Sequence, residues 1–347
     1  MASVGLVAPT IYPVSPEGYG GIERLVGLFA RGLKEAHPDG TVTCFCPEGS
    51  HLPRGVIRVS TGPCSVLDFS EPNLYPTIAN HRGRNTYCWL DFSHSRPVGK
   101  LPDPPPAIFP IWHDPRMMKC YIPNYNVAAL SQWQAQRFME VYKQVCIVLD
   151  PICVDSQVFK PGKPDLDIED YCIFLGNLSR DKGALQAIEA CKAIKQRLVV
   201  VGAVTPDNPP DYVAAVQSAC DGQDIIYYPE VSESHKLALY QGAKAMLYPV
   251  SYPPGLGESH SHKSAECMMT GTPVIAYDQG AMNEVIEDGV TGFVISPGRE
   301  RIAKAIQDCE GIDRARCSWV ATTRWDYRIV IPHWYHYIAN VVGGMRW

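Results

Sequence analysis

The 347-residue sequence is poor in charge: 31 Lys and Arg against 36 Asp and Glu make up 19% of the chain and leave a formal net charge of -5. That balance gives no general electrostatic reason to bind nucleic acid, whose phosphates select basic surfaces. No Cys-x-x-Cys pair occurs among the 13 cysteines, so the spacing of a zinc or dithiol centre is missing. An odd count in a chain of this length suits reduced, partly buried thiols. The Gly-x-Gly-x-x-Gly fingerprint is also missing, which counts against a dinucleotide-dependent dehydrogenase. No apolar run is long enough to span a bilayer. The opening Ser3-Val4-Gly5-Leu6-Val7-Ala8-Pro9 lacks the basic flank and long apolar core of a signal peptide, and the cytoplasm is the expected compartment.

What is present is ordinary globular material, 46% hydrophobic, in a chain longer than a single core usually supports. Apolar runs of a few residues alternate with longer amphipathic segments, the rhythm of parallel strands joined by helical crossovers, so the expected fold class is α/β. Strands are predicted at Val4–Ala8, Thr41–Phe45, Thr86–Leu90, Ala107–Trp112, Val127–Leu130 and Cys146–Leu149. A second series is predicted at Tyr171–Leu175, Arg197–Gly202, Asp224–Tyr228, Ala245–Pro249, Pro273–Tyr277 and Gly292–Ile295. Ile22, Leu25, Val26, Phe29 and Leu33 recur at helical spacing and predict a helix from Gly20-Gly21 to about Ala36. The proline- and acid-rich stretch 151–170 reads as a linker. It divides the chain into residues 1–150 and 151–324, two doubly wound Rossmann-like domains facing across a cleft. An aromatic helix over 325–347, kinked or started at Pro332, crosses back to the first. In such folds ligands bind beyond the carboxyl ends of the strands, so function is sought in the loops there.

Five loops carry candidate chemistry. Gly20 and Gly21 open the first helix, where backbone N–H groups and the helix dipole can receive a phosphate; a plain tight turn reads the same way. Arg180, Lys182 and Gly183 follow the strand ending at Leu175, and cations at a helix start are unusual unless an anion is bound. Glu258 and Glu266 flank Ser261, His262 and Lys263, and a helix beginning near Ser261 would offer N–H groups to a phosphate while both carboxylates accept sugar hydroxyls. Asp91, His94 and His113 follow predicted strands of the first half, and Trp112 ends one. His260 and His262 supply at most two ligands, so no metal site is expected. Trp89, Phe92, Trp112 and Tyr121 could stack on a sugar, although at least two of them are expected in the core.

Taken in order, Gly18-Tyr19-Gly20-Gly21-Ile22-Glu23-Arg24, Trp112-His113-Asp114-Pro115, Phe174-Leu175-Gly176-Asn177-Leu178-Ser179-Arg180-Asp181-Lys182-Gly183 and the stretch from Gly255 to Ile295 resemble the landmarks of glycosyltransferase family 4, a retaining family with the GT-B fold. The resemblance spans roughly Val4 to Ile295 and is most specific from Glu258 to Phe293. It implies that Gly20 and Gly21 lie against a donor diphosphate that Lys182 neutralises, that Glu258 holds donor sugar hydroxyls, and that Glu266 binds the ribose. His113 would sit beside the donor sugar, and the loop at Glu230, Val231 and Ser232 would meet the base. Two departures stand out. Asn177 replaces the usual arginine unless Arg180 takes its part, and Ser259-His260-Ser261 replaces Pro-Phe-Gly.

The implied activity is retaining, metal-independent transfer from a UDP- or GDP-sugar to a glycan, lipid-linked or small-molecule acceptor. Lys182, Arg180 and helix N-termini would offset the leaving-group charge. Catalytic candidates are His113, Glu258, Lys182 and Arg180. Donor contacts are Gly20, Gly21, Asn177, Lys182, Val231, Ser261, His262, Lys263 and Glu266, and the acceptor side has His94, Asp91 and Trp112. No cofactor beyond the nucleotide-sugar co-substrate is expected. Peripheral membrane contact is compatible with the sequence, and nucleic acid is not an expected partner. The departures also motivate a second reading, a degenerate nucleotide-sugar-binding protein or partner subunit.

Overall fold

In the computed structural model, residues 3–15, 20–65, 68–81, 88–110, 126–206 and 208–347 are described. The chain divides into two units, residues 1–153 with 327–347, and residues 154–326. Each is built on a wholly parallel sheet, as the predicted α/β class requires.

In the first unit the strands are β1 (Val4–Val7), β2 (Val42–Cys46), β3 (Ile57–Ser60), β4 (Cys88–Asp91), β5 (Ala107–Pro110), β6 (Asn126–Ala129) and β7 (Ile147–Val148), in the order β3-β2-β1-β4-β5-β6-β7. The order reverses between β1 and β4, and the crevice beyond their carboxyl ends is where such sheets take ligands. β3 was not predicted. Its Ile-Arg-Val-Ser sequence sits at the sheet edge and is largely exposed, so it carries no apolar run. Helix α1 (Gly21–Ala36) buries Leu25, Val26, Phe29 and Leu33, the stripe read from the sequence. A short helix, α2 (Leu74–His81), follows β3, and α3 (Gln132–Tyr142) joins β6 to β7.

The chain returns to this unit at its end. Helix α11 (Tyr327–Val342) contains Pro332 without interruption and packs Tyr327, Ile331, Trp334 and Ile338 into the core around Phe29. The Trp334 ring meets Phe29 edge-on at 5.1 Å, and its Nε1 donates to the Asp150 carbonyl at 2.9 Å.

The second unit has β8 (Tyr171–Leu175), β9 (Arg197–Val201), β10 (Ile225–Tyr228), β11 (Met246–Tyr248), β12 (Val274–Tyr277) and β13 (Gly292–Ile295) in the order β10-β9-β8-β11-β12-β13. All six fall within the predicted ranges, because strands covered on both faces read as unbroken apolar runs. The helices are α4 (Ala184–Ala193), α5 (Pro210–Ala219), α6 (Glu233–Gly242), α7 (His262–Met269), α8 (Met282–Val285), α9 (Arg299–Asp308) and α10 (Arg314–Trp325). The order reverses between β8 and β11, so the loops after those two strands flank this unit's ligand crevice.

Candidate functional site

The loop after β8 is held to the neighbouring strand ends. Gly176 N–H donates to Val201 O at 3.0 Å and Leu178 N–H to Ala203 O at 3.1 Å. It then makes a 3-10 turn over Arg180–Lys182, and Gly183, at φ +79, caps α4. Across the crevice Ser251 N–H donates to Asp181 O at 2.8 Å. This anchors the turn to the chain leaving β11 and fixes where the Lys182 side chain starts.

Lys182 Nζ donates to the Tyr252 hydroxyl at 2.7 Å and pairs closely with Glu258. Tyr252 in turn donates to the same Glu258 oxygen at 3.0 Å. Burial by itself would lower the Lys182 pKa, but the Glu258 carboxylate outweighs it and holds the ammonium above its usual range. Burial would likewise raise Glu258, yet Lys182 and then Lys263 bring its carboxyl down to about 2. Both groups are therefore charged throughout the neutral range.

Glu258 is set by its own backbone. Its carbonyl accepts from Ala281 N–H at 2.7 Å, and Gly280, at φ +66, packs so tightly that a Cβ there would lie 2.2 Å from the Glu258 oxygen and 2.5 Å from its nitrogen. Ser261 caps α7 by accepting from Ser264 N–H, as the expected helix start near Ser261 requires. On that helix Lys263 Nζ donates to Leu175 O at 3.1 Å and lies 4.9 Å from the Tyr248 ring centroid. Burial and the neighbouring Lys182 charge lower the Lys263 pKa to about 8. Among the described residues Lys263 has no carboxylate within 4.0 Å, although Glu258 and Glu266 act on it at longer range.

Glu266 pairs with Lys236 of α6 at 2.9 Å, side chains 16% and 9% exposed. The Lys236 ammonium also lies 4.8 Å from the Phe159 ring centroid. Lys236 was not among the sequence candidates, since nothing in spacing ties it to a residue thirty positions later. Replacing it with methionine is expected to lower stability by about 2 kcal/mol, less than for a fully buried pair because water reaches both partners. A urea denaturation midpoint equal to the wild type would contradict this.

Other candidates are placed differently. Arg180 turns away from Lys182 to pair with Asp211 on α5 and lies over the Tyr212 ring at 5.3 Å. Asn177 accepts from the Ser179 hydroxyl at 3.0 Å. Val231 precedes Ser232, the cap of α6, and His262 meets His260 edge-on at 5.1 Å. The chain holds one Asp-x-Asp triplet, Asp165-Leu166-Asp167, whose aspartates are exposed ahead of β8. Among the described residues no group of three or more His, Cys, Asp or Glu is placed to hold a metal ion.

In the first unit Gly20, at φ +138, caps α1, and its carbonyl accepts from Arg24 N–H at 3.2 Å. A Cβ at Gly21 would meet nothing within 4 Å. The buried Glu23 follows in the first helical turn, its carboxyl raised by burial to about 7. Asp91 is taken up by the turn after β4, accepting from Ser93 N–H at 3.1 Å and Val98 N–H at 3.3 Å, while Arg96 donates to the Asp91 carbonyl. It is fully buried, a structural placement that leaves it no open oxygen toward solvent. His94 meets Phe69 edge-on at 5.0 Å. Trp89 and Phe92 are core residues. Trp112, His113 and Tyr121 lie outside the described residues.

Residues 158–323 match the family described as glycosyl transferases group 1. No curated protein matches the chain. Among solved structures, a glycosyltransferase involved in Avilamycin A biosynthesis superposes with a TM-score of 0.77 at 20% identity, covering 100% of each chain. Sucrose-phosphate synthase from Thermosynechococcus elongatus gives 0.81 at 16% identity, covering 99% of this chain and 100% of that one. Anabaena HepE in complex with UDP and glucose gives 0.75 at 13% identity over 98% and 100%. These likenesses establish the GT-B fold.

Proposed function

We propose that this chain, a glycosyltransferase by the group 1 domain over residues 158–323, transfers a hexose with retention from a UDP- or GDP-sugar to a glycan, lipid-linked or small-molecule acceptor, without a divalent metal. The observation that carries the donor reading is the pair Lys182 and Lys263 at the switch point between β8 and β11. Two ammoniums close enough to depress Lys263 share Glu258, and Lys263 has no ion pair among the described residues. A diphosphate supplies the missing negative charge. The likeness to HepE, whose structures contain UDP, glucose and UDP-glucose, supports a UDP-sugar as the donor.

In the reaction, the bond from the anomeric carbon to the diphosphate oxygen breaks, positive charge grows on the sugar and negative charge on the leaving group. Lys182 and Lys263 stabilise that negative charge as it develops, which is where fixed cations lower a barrier most. Glu258 accepts hydroxyl groups of the sugar, and Glu266, fixed by Lys236, accepts those of the ribose. For retention the acceptor attacks the face the diphosphate is leaving, and the departing phosphate oxygen takes the acceptor proton. His113 is assigned to the donor sugar, Gly20 and Gly21 to the diphosphate, and Val231 to the base.

One observation favours the second reading, binding without transfer: Asn177 stands where the family has an arginine, and Arg180 is engaged by Asp211. Calorimetric titration with the glucose esters of UDP, GDP, ADP and dTDP, with EDTA present, tests the donor reading. One of them is expected to bind. At pH 8.5 a diphosphate beside Lys263 raises its depressed pKa, so binding takes up a proton, seen as a heat that varies with buffer ionisation enthalpy. Loss of binding in EDTA would overturn the metal-free reading. Binding without proton uptake would remove Lys263 from the diphosphate.

A further inference from the structure

Tyr252 stands in the loop after β11, ahead of two prolines, and no family landmark in the sequence points to it. Its hydroxyl accepts from Lys182 at 2.7 Å and donates to Glu258 at 3.0 Å, while Lys182 pairs with that same carboxylate oxygen. The Lys182 ammonium also lies 5.2 Å from the centroid of the Tyr252 ring. Three side chains thus close a ring in which the cation has its anion, the carboxylate its cation, and the phenol both gives and takes a hydrogen bond. A ligand anion that draws on the Lys182 charge competes with Glu258 for it.

We propose that in the ligand-free protein Glu258 occupies Lys182 in place of the donor diphosphate and that Tyr252 is the positioning residue that holds it there, so that the site prefers an intact nucleotide sugar over the nucleotide diphosphate left after transfer. The proposal rests on the reading of Lys182 as the diphosphate cation and Glu258 as the acceptor of sugar hydroxyls. A nucleotide diphosphate that takes Lys182 leaves a partly buried Glu258 carboxylate without its cation and beside new negative charge, which is costly. A nucleotide sugar exchanges both halves at once, its phosphate for the ammonium and its hydroxyl groups for the carboxylate. After transfer the sugar no longer engages Glu258, which returns to Lys182 and drives the diphosphate off. Because the carboxyl stays ionised down to about pH 2, the competitor is present at every working pH.

The test is calorimetry on the wild type, Glu258→Gln, Tyr252→Phe and Lys182→Ala with UDP, GDP, ADP, dTDP and the glucose ester of each, after melting curves establish that the variants are folded. The wild type is expected to bind one nucleotide sugar roughly 10-fold more tightly than the matching diphosphate. Glu258→Gln should tighten the diphosphate about 10-fold and erase that preference. Tyr252→Phe changes no charge, so its expected gain of about 3-fold reports the ring rather than net electrostatics. Diphosphate affinity unchanged or weakened in both variants, while Lys182→Ala still binds less tightly than the wild type, would overturn the proposal and leave the donor reading standing. Lys182→Ala binding as tightly as the wild type, or no binding by the wild type, would sink the donor reading and this proposal with it.

Discussion

Lys182→Ala is expected to lower kcat/KM for sugar transfer, or for slow hydrolysis of the donor, by about 10³-fold, the scale found when one preorganised charge-stabilising group is removed from a reacting centre. Most of the loss should fall on kcat, because the charge on the leaving diphosphate is greatest in the transition state. The same change acts on stability through Glu258. In the wild type its folded pKa is depressed to about 2, so it contributes stability that is fully present above the ordinary carboxylate range and is lost as pH falls toward 2. Without Lys182 that window closes, and the acid limb of the stability profile should flatten between pH 5 and 2. Turnover within threefold of the wild type, with an unchanged acid limb, would show that Lys182 and Glu258 act on neither.

Gly280→Ala should be among the most damaging small substitutions in the second unit. The residue has φ +66, where an L side chain costs about 1–2 kcal/mol. Its Cβ would also overlap the Glu258 backbone at 2.2 and 2.5 Å, and both colliding atoms are main chain, so neither can swing aside. The total is expected to reach about 3 kcal/mol, with a melting temperature lower by roughly 10 °C. Gly222→Ala separates the two contributions, since Gly222 has φ +79 but nothing within 4 Å of its Cβ position. It should cost only about 1 kcal/mol and leave turnover intact. Equal losses at the two positions would mean that Gly280 matters for its dihedral angle alone, and that the seat of Glu258 tolerates displacement.

The strands of the second unit are legible in the sequence because most of them are buried on both faces and read as short apolar runs. The stretch from Glu258 to Glu266 announced its helix because Ser261 is a local cap whose partner lies three residues on. What the sequence concealed depends on distance along the chain. Lys236 reaches Glu266 across 30 residues and Tyr252 reaches Lys182 across 70. Neither pairing leaves a local pattern. Helix α2 was missed because Leu-Tyr-Pro-Thr-Ile-Ala-Asn-His buries only Leu74 and Ile78, too few for a stripe. Arg180 is placed apart from Lys182 for a geometric reason that spacing does not carry: in the 3-10 turn it diverges from Lys182, and Asp211 is there to receive it. For Asp91, a strand-end position does not say which face its side chain takes; here the following turn engages it.

Hydrogen–deuterium exchange with and without the nucleotide sugar that binds most tightly tests the central claim most directly, that the donor is held by the loops after β8 and β11. The account predicts slowed exchange at the backbone amides of residues 176–183 and 258–266, lost in Lys182→Ala at the same ligand concentration. Binding that leaves both stretches unprotected, or that protects them equally in Lys182→Ala, would contradict it.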